Sequence, residues 1–212
     1  KTAYEIASCL VGSEMCIRDR ITDDIFSDSY PSWNKNGDEI VFVSDRGDYV
    51  DGKYGGRMED HNYSQTDIYI VSTSNNKIRR LTSTPHNENN PIWANTENTI
   101  FYTSDYNGVH NLYRHRIDAD NGLETSLNPT AITNVLTGLQ QPTISRDDNT
   151  LIFAGYSGIG WDLYSMNSPL KASKKQVLPT QYIKTRDNED LSEADIRAVS
   201  YTHLTLPTSD LV

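Results

Sequence analysis

The side chains with the most chemical potential in this 212-residue chain crowd into residues 46–66, RGDYVDGKYGGRMEDHNYSQT, and the short run 85–90, PHNENN. Imidazole and carboxylate together suit several divalent ions, so Glu59, Asp60, His61, His86 and Glu88 form the conceivable metal set. No His-Glu-x-x-His or paired-cysteine spacing supports it, and neither metal nor cofactor is expected. Asp118-Ala119-Asp120-Asn121-Gly122 breaks the alternation of a calcium loop, and Pro129 stands where the twelfth-position glutamate belongs. A turn between strands is the expectation there. Ser157, in Gly155-Tyr156-Ser157-Gly158-Ile159, misses the nucleophile elbow: Ile159 replaces the last glycine, and the segment joins two strands instead of entering a helix. His110 and His115 read as packing or surface residues, and no catalytic residue is expected. What remains is recognition, because an irregular loop on a rigid scaffold is where binding often lives. Asp48, Tyr49, Tyr54, Arg57, Asp60, His61, Tyr63, His86 and Glu88 are the candidate partner-binding residues. The simpler reading of the same loop is a solvated excursion.

The elements that must position this loop repeat along the chain. Residues 91–113, PIWANTENTIFYTSDYNGVHNLY, hold two alternating apolar runs, 99–104 and 109–113, joined by 105–108. Runs of this length bounded by Asn, Asp and Gly read as a strand hairpin. The same phrase stands upstream as Pro31-Ser32-Trp33, Ile40-Val41-Phe42-Val43-Ser44-Asp45 and Asp67-Ile68-Tyr69. It stands downstream as Pro142-Thr143-Ile144, Leu151-Ile152-Phe153-Ala154 and Asp162-Leu163-Tyr164. Ile21-Thr22, Leu81-Thr82 and Ile132-Thr133 punctuate the units. Four strands per unit of ~40–45 residues are the signature of a propeller blade, and these units, 60 and 51 residues between Thr22, Thr82 and Thr133, are longer through their loops. The second strands are expected at 40–44, 100–104 and 151–154, and the third at 67–72, 111–116 and 162–166. A last outer strand is expected at 176–184, before a charged and helical segment. Tyr69, Tyr113 and Tyr164 should sit between blades with each phenol reaching a polar partner. The loop between second and third strands should emerge on the same face as the connection between blades.

Proline, an aromatic residue, an Asn/Asp-Gly turn, Ile-x-Phe-x-Ser-Asp, Asp-Ile-Tyr and Arg-Leu-Thr together resemble the WD40-like propeller repeat of TolB and its relatives. The resemblance covers about residues 21–170. The third unit departs from it, with Ile144 for the aromatic residue and Ala154-Gly155 for Ser-Asp. It implies an all-β fold, a partial β-propeller of about three four-stranded antiparallel blades over 21–185 (23–82, 83–133 and 134–185). It further implies a periplasmic, non-catalytic envelope protein that binds protein partners, a Pal-like lipoprotein or Tol components, in support of outer-membrane integrity. The same repeats also serve as the accessory propeller of prolyl-oligopeptidase-type serine peptidases and in multidomain outer-membrane proteins.

Composition narrows the classes. A formal net charge of −10 with pI ≈ 4.8 argues against nucleic acid as a partner. No apolar run approaches the ~18 residues of a membrane helix, and mean hydropathy is −0.62. Residues 8–20, SCLVGSEMCIRDR, and 199–212, VSYTHLTLPTSDLV, resemble translated sequencing-adapter read-through, so 1–20 and 199–212 are set apart from the fold, with 186–198 as a charged tail. Both cysteines, Cys9 and Cys16, fall in that first segment and say nothing of redox compartment. Three blades fall short of the ~4–8 of a closed ring, so the expectation is a protein that continues in both directions.

Overall fold

The computed structural model describes residues 20–51, 54–117 and 129–188; the segments 1–20 (but for Arg20) and 199–212, the turn at 118–122 and most of the tail lie outside them. Among the described residues, eleven strands form three antiparallel sheets. The first is β1 (Asp28–Trp33), β2 (Glu39–Ser44), β3 (Asp67–Ser72) and β4 (Ile78–Arg80). The second is β5 (Glu88–Trp93), β6 (Thr99–Ser104), β7 (Asn111–Arg116) and β8 (Thr130–Ala131). The third is β9 (Leu139–Ile144), β10 (Thr150–Tyr156) and β11 (Trp161–Asn167). Within each sheet the order in space is the order in sequence, which is the meander of a propeller blade.

The repeated proline has a backbone reason. Each inner strand shifts register just before it, between Ser29 and Ser32 on β1 and between Asn89 and Ile92 on β5. The residue preceding the proline is left-handed in all three blades: Tyr30 at φ 52°, Asn90 at 51° and Gln141 at 51°. A bulge already leaves one ladder bond unmade, so a residue without an N–H is placed there at no loss.

The sheets stack through alternate faces of the second and third strands. Val41, Ile68 and Ile70 of the first blade meet Trp93, Ile100, Tyr102 and Tyr113 of the second. Phe101 and Leu112, on the opposite face of the second blade, meet Leu139 and Leu151 of the third. Ile40, Phe42, Tyr69 and Val71 form a third cluster on the first blade's face turned away from the second. Tyr69 donates its hydroxyl to the Gly47 carbonyl at 2.7 Å. The expectation of a polar partner fails at Tyr113, whose buried hydroxyl has none and whose ring instead stacks on Tyr102.

The expected outer strand at 176–184 is not there. The chain makes a 3₁₀ turn at Pro169–Lys171 and then turns back along the second blade, where Lys175 N–H bonds the Ala131 carbonyl of β8. Val177 packs on the core between blades one and two. A helix, α1 (Gln181–Asn188), follows and buries Ile183 against the β6–β7 turn. The edge of β8 is only two residues long and takes the segment that the third sheet would have used.

Candidate functional site

Two dipeptides of the repeat build the rim that carries the candidate loop. In Ser-Asp, the aspartate closing the second strand accepts a backbone N–H from the residue entering the same blade's first strand. Asp45 takes Ser27 N–H at 2.9 Å, and Asp105 takes Asn87 N–H at 2.8 Å. In Leu-Thr, the threonine hydroxyl accepts the amide near the start of the third strand, Ile68 N–H to Thr82 at 2.9 Å and Leu112 N–H to Thr133 at 2.8 Å. That hydroxyl donates onward to Asp67 at 3.3 Å and to Asn111 at 3.1 Å. The amides that enter the first and third strands are thereby satisfied inside the blade.

The insertion 46–66 opens directly beyond Asp45 and is anchored to the blades at its two ends, while most of the described residues between are exposed. Its first residue, Arg46, is fully buried. Its guanidinium donates to Ser44 Oγ at 3.0 Å, to Asp24 at 2.8 Å and to Asp28 at 2.6 Å. It lies over the rings of Phe26, Phe42 and Tyr69 at 5.3–5.6 Å. A planar cation can meet two carboxylates and three aromatic faces at once, which an ammonium cannot. Phe26 is the floor of an aromatic cluster: Tyr49 stacks on it, and Tyr54 and His61 approach it at 5.7 and 5.4 Å. The far end is tied to the connection between blades. Gln65 Nε2 donates to the carbonyls of Thr84 and His86, and Thr66 N–H to Asn87 Oδ1.

The sequence candidates divide by burial. Tyr49 and Tyr63 are half-exposed, and Tyr63 sets its edge against His61 at 4.7 Å. Tyr54 donates its hydroxyl to the Arg57 carbonyl, and Arg57 pairs with Glu59 in solvent. Asp60 is exposed on a 3₁₀ turn, and Asp48 is exposed and paired with Arg80. His86 meets Tyr106 edge-on at 4.9 Å. Two candidates lie inside the molecule. The His61 side chain is 8% exposed, with Nε2 3.2 Å from Asp45. Glu88 is no loop residue: it is the first residue of β5, 2% exposed.

Glu88 faces Asp67 across the junction of blades one and two. It accepts hydroxyls from Thr84 at 2.7 Å and Ser104 at 3.1 Å through Oε1, while Oε2 has no hydrogen-bond partner. Burial, with the neighbouring Asp67 carboxylate, pushes its pKa up to about 7. Burial also raises Asp67, against the pull of Arg80 at 2.6 Å. Of the two histidines outside the loop, His110 is exposed, and burial on β7 pushes the His115 pKa down. Among the described residues, no three His, Cys, Asp or Glu side chains converge as metal ligands would.

Sequence reading missed the residues that make the loop a structure: Phe26, Arg46 with Asp24 and Asp28, and Tyr106. Only the arginine immediately after Ser-Asp, where the second unit has Tyr106, signalled anything.

These blades define the chain as a β-propeller protein. Its structure is similar to that of a protein assigned as TolB from Agrobacterium tumefaciens, at TM-score 0.52 and 16% identity over 70% of this chain and 48% of the other. The fold is therefore TolB-like, and the chain spans about half the length of that structure. Lesser overlaps occur with TolB from Acinetobacter baumannii (TM-score 0.46, 17% identity, 71% of this chain and 32% of the other). A puromycin-hydrolysing peptidase of Mycobacterium tuberculosis overlaps at TM-score 0.42 and 15% identity (65% and 20%). No family model matches the sequence, and no curated protein matches it at a significant level. Among the described residues no helix is long and apolar enough to cross a membrane.

Proposed function

We infer that this chain is a non-catalytic, protein-binding propeller of a TolB-like bacterial envelope protein, acting in the periplasm on a Pal-like lipoprotein partner. The observation that carries the reading is the folded loop face, on which Tyr49 and Tyr63 stand half-exposed above half-buried Phe26 and His61 and fully buried Arg46, with Tyr106 beside them. Tyrosines held in this way offer large amphipathic contact area at little entropic cost, which suits protein recognition. The envelope setting and the partner's identity rest on the resemblance of the repeat phrase to TolB.

Calorimetric titration of the chain with a purified peptidoglycan-associated lipoprotein tests both parts. Binding is expected, weakened by tenfold or more in Tyr49→Ala and in Tyr63→Ala, with circular dichroism unchanged. No heat of binding to the lipoprotein removes the Tol–Pal role. Binding undiminished in both variants removes the loop face.

A further inference from the structure

The turns that join first and second strands lie at the end of the blades opposite the 46–66 loop. They share one register, since Trp33 opposes Ile40, Trp93 opposes Ile100 and Ile144 opposes Leu151. Lys35 and Asn36 of the first turn therefore correspond to Asn95 and Thr96 of the second, and Glu97 of the second corresponds to Asp148 of the third. Between blades two and three these positions build a cradle for a carboxylate. Asp148, 2% exposed, accepts the Asn95 and Thr96 backbone N–H groups at 2.8 and 2.6 Å. It also accepts Asn95 Nδ2 at 2.8 Å and Thr96 Oγ1 at 2.6 Å. Against its burial, these bonds hold the carboxyl below its ordinary pKa range. Successive amides turned to one side make an anion-binding concavity, and here the chain fills it with its own side chain.

Between blades one and two no described carboxylate enters the corresponding cradle. Glu97 stands 4.0 Å from Arg116 of β7 instead. The first turn is held in shape by Asn34 Oδ1, which accepts the N–H groups of Gly37, Asp38 and Glu39 at 2.9, 3.1 and 3.2 Å. Its Lys35 and Asn36 amides donate to no group among the described residues. A groove of about 250 Å³ separates this turn from residues 93–98. A wider hollow of about 540 Å³ adjoins it, bordered by Lys35, Asn95, Thr96 and Arg146. Neither Lys35 nor Arg146 pairs with a carboxylate among the described residues. The acids nearby are each engaged: Asp38 by Asn34 at 2.6 Å, Glu39 by Arg79 at 2.8 Å and Asp147 by Ser145 at 2.6 Å.

We propose that these turns bind an acidic peptide segment, one carboxylate seated on the Lys35 and Asn36 amides as Asp148 sits on Asn95 and Thr96, and a neighbouring one on Arg146 across the hollow. The two cations belong to different blades, so carboxylates repeated along one extended chain meet both, where a small anion meets one. Arg146 offers the planar fork that takes a carboxylate through two N–H bonds, and Lys35 adds a mobile point charge beside its own amide. The surface lies away from the tyrosines of the loop face, and its occupation does not depend on the partner proposed there.

Amide chemical shifts of the isotope-labelled chain, followed during titration with acetylated tetraglutamate amide, read the result. Salt at about 0.15 M screens the long-range repulsion from a chain of net charge −10 and leaves the local contacts. Saturable shifts are expected at Lys35 and Asn36, with 46–66 unmoved and with tetraglutamine producing none. Lys35→Glu and Arg146→Glu should each weaken binding tenfold or more; both side chains are exposed, so circular dichroism should stay unchanged. Shifts at these amides with inorganic phosphate but none with tetraglutamate would reduce the site to a small-anion cradle and overturn the peptide as its occupant. Lys35 and Asn36 amides unmoved by tetraglutamate overturn the proposal, as does binding that both variants retain at the parent's strength.

Discussion

Replacing Glu88 by Gln should make the protein more stable at pH 8 and leave it little changed at pH 5. Glu88 is almost wholly buried, and its pKa stands at about 7 against an ordinary 4.5, through burial and the adjoining Asp67. A carboxyl whose folded pKa is raised binds its proton more tightly in the folded state. Its stabilising contribution is complete below about pH 4.5 and is lost as pH rises through 7. A shift of this size corresponds to about 3 kcal/mol at about 1.4 kcal/mol per unit. Glutamine keeps the carbonyl oxygen that accepts from Thr84 and Ser104, and places a neutral amide where Oε2 has no partner. For a chain of this length, about 3 kcal/mol is roughly 6–12 °C in Tm. Thermal unfolding followed by circular dichroism at pH 5, 6.5 and 8 gives the answer. Equal pH slopes for parent and variant would show that Glu88 is ionised in the folded state and would refute the argument.

Three further substitutions probe the rest of the structure. Phe42→Asp puts a charge beneath the insertion, in the cluster with Tyr69 and Val71, and should cost about 3–5 kcal/mol, whereas Asp48→Ala removes an exposed ion pair and should cost under about 1 kcal/mol; equal urea midpoints would contradict the strand register. Arg46→Ala leaves Asp24 and Asp28 without their cation and should cost about 3–5 kcal/mol, with cleavage by protease appearing first within 46–66. Gly108→Val demands a side chain at φ +84°, where a Cβ would lie 2.8 Å from Thr180 Oγ1 and 2.9 Å from Ile183 Cγ1. It should release α1, read as hydrogen exchange across 181–188 at least tenfold faster with β6 unaffected.

The repeat phrase was legible because its conserved-looking letters are local devices. Proline marks the bulge, Ser-Asp holds the entering strand, and Leu-Thr closes on the third strand, so each leaves a fixed pattern wherever a blade recurs. The third unit could be followed too, but the sequence reading places its counterpart of Ser-Asp one residue early: Gly155 opposes Asp162 as Ser44 opposes Asp67, so Gly155-Tyr156, and not Ala154-Gly155, is where the rim loses its aspartate. What could not be read were contacts made across long separations. Arg46 reaches 22 residues back to Asp24, and Glu88 is buried only because blade one, with Asp67, stands over it. The outer strands were the weakest signal: β4 and β8 are three and two residues long, so nothing in 176–184 told which sheet edge that segment would join.

The same rim position carries two electrostatic solutions, and this makes one last substitution decisive. Asp28 and Glu88 each open a first strand, beside Ser44 and Ser104 at the ends of the neighbouring second strands. In blade one the residue after Ser-Asp is Arg46, which supplies Asp28 with a cation at 2.6 Å. In blade two it is Tyr106, turned outward onto His86, and Glu88 is left to be neutralised by a proton. Tyr106→Arg should therefore transplant the first solution into the second blade: a guanidinium reaching inward past Ser104 favours the ionised carboxylate and lowers its pKa. The pH dependence of Tm between 5 and 8 should flatten as it does in Glu88→Gln, while Tyr106→Lys, a point charge without the fork that spans serine and carboxylate, should flatten it less. An unchanged slope in Tyr106→Arg would mean that the two rims are not equivalent, and that the position after Ser-Asp does not set the charge state of the strand entrance.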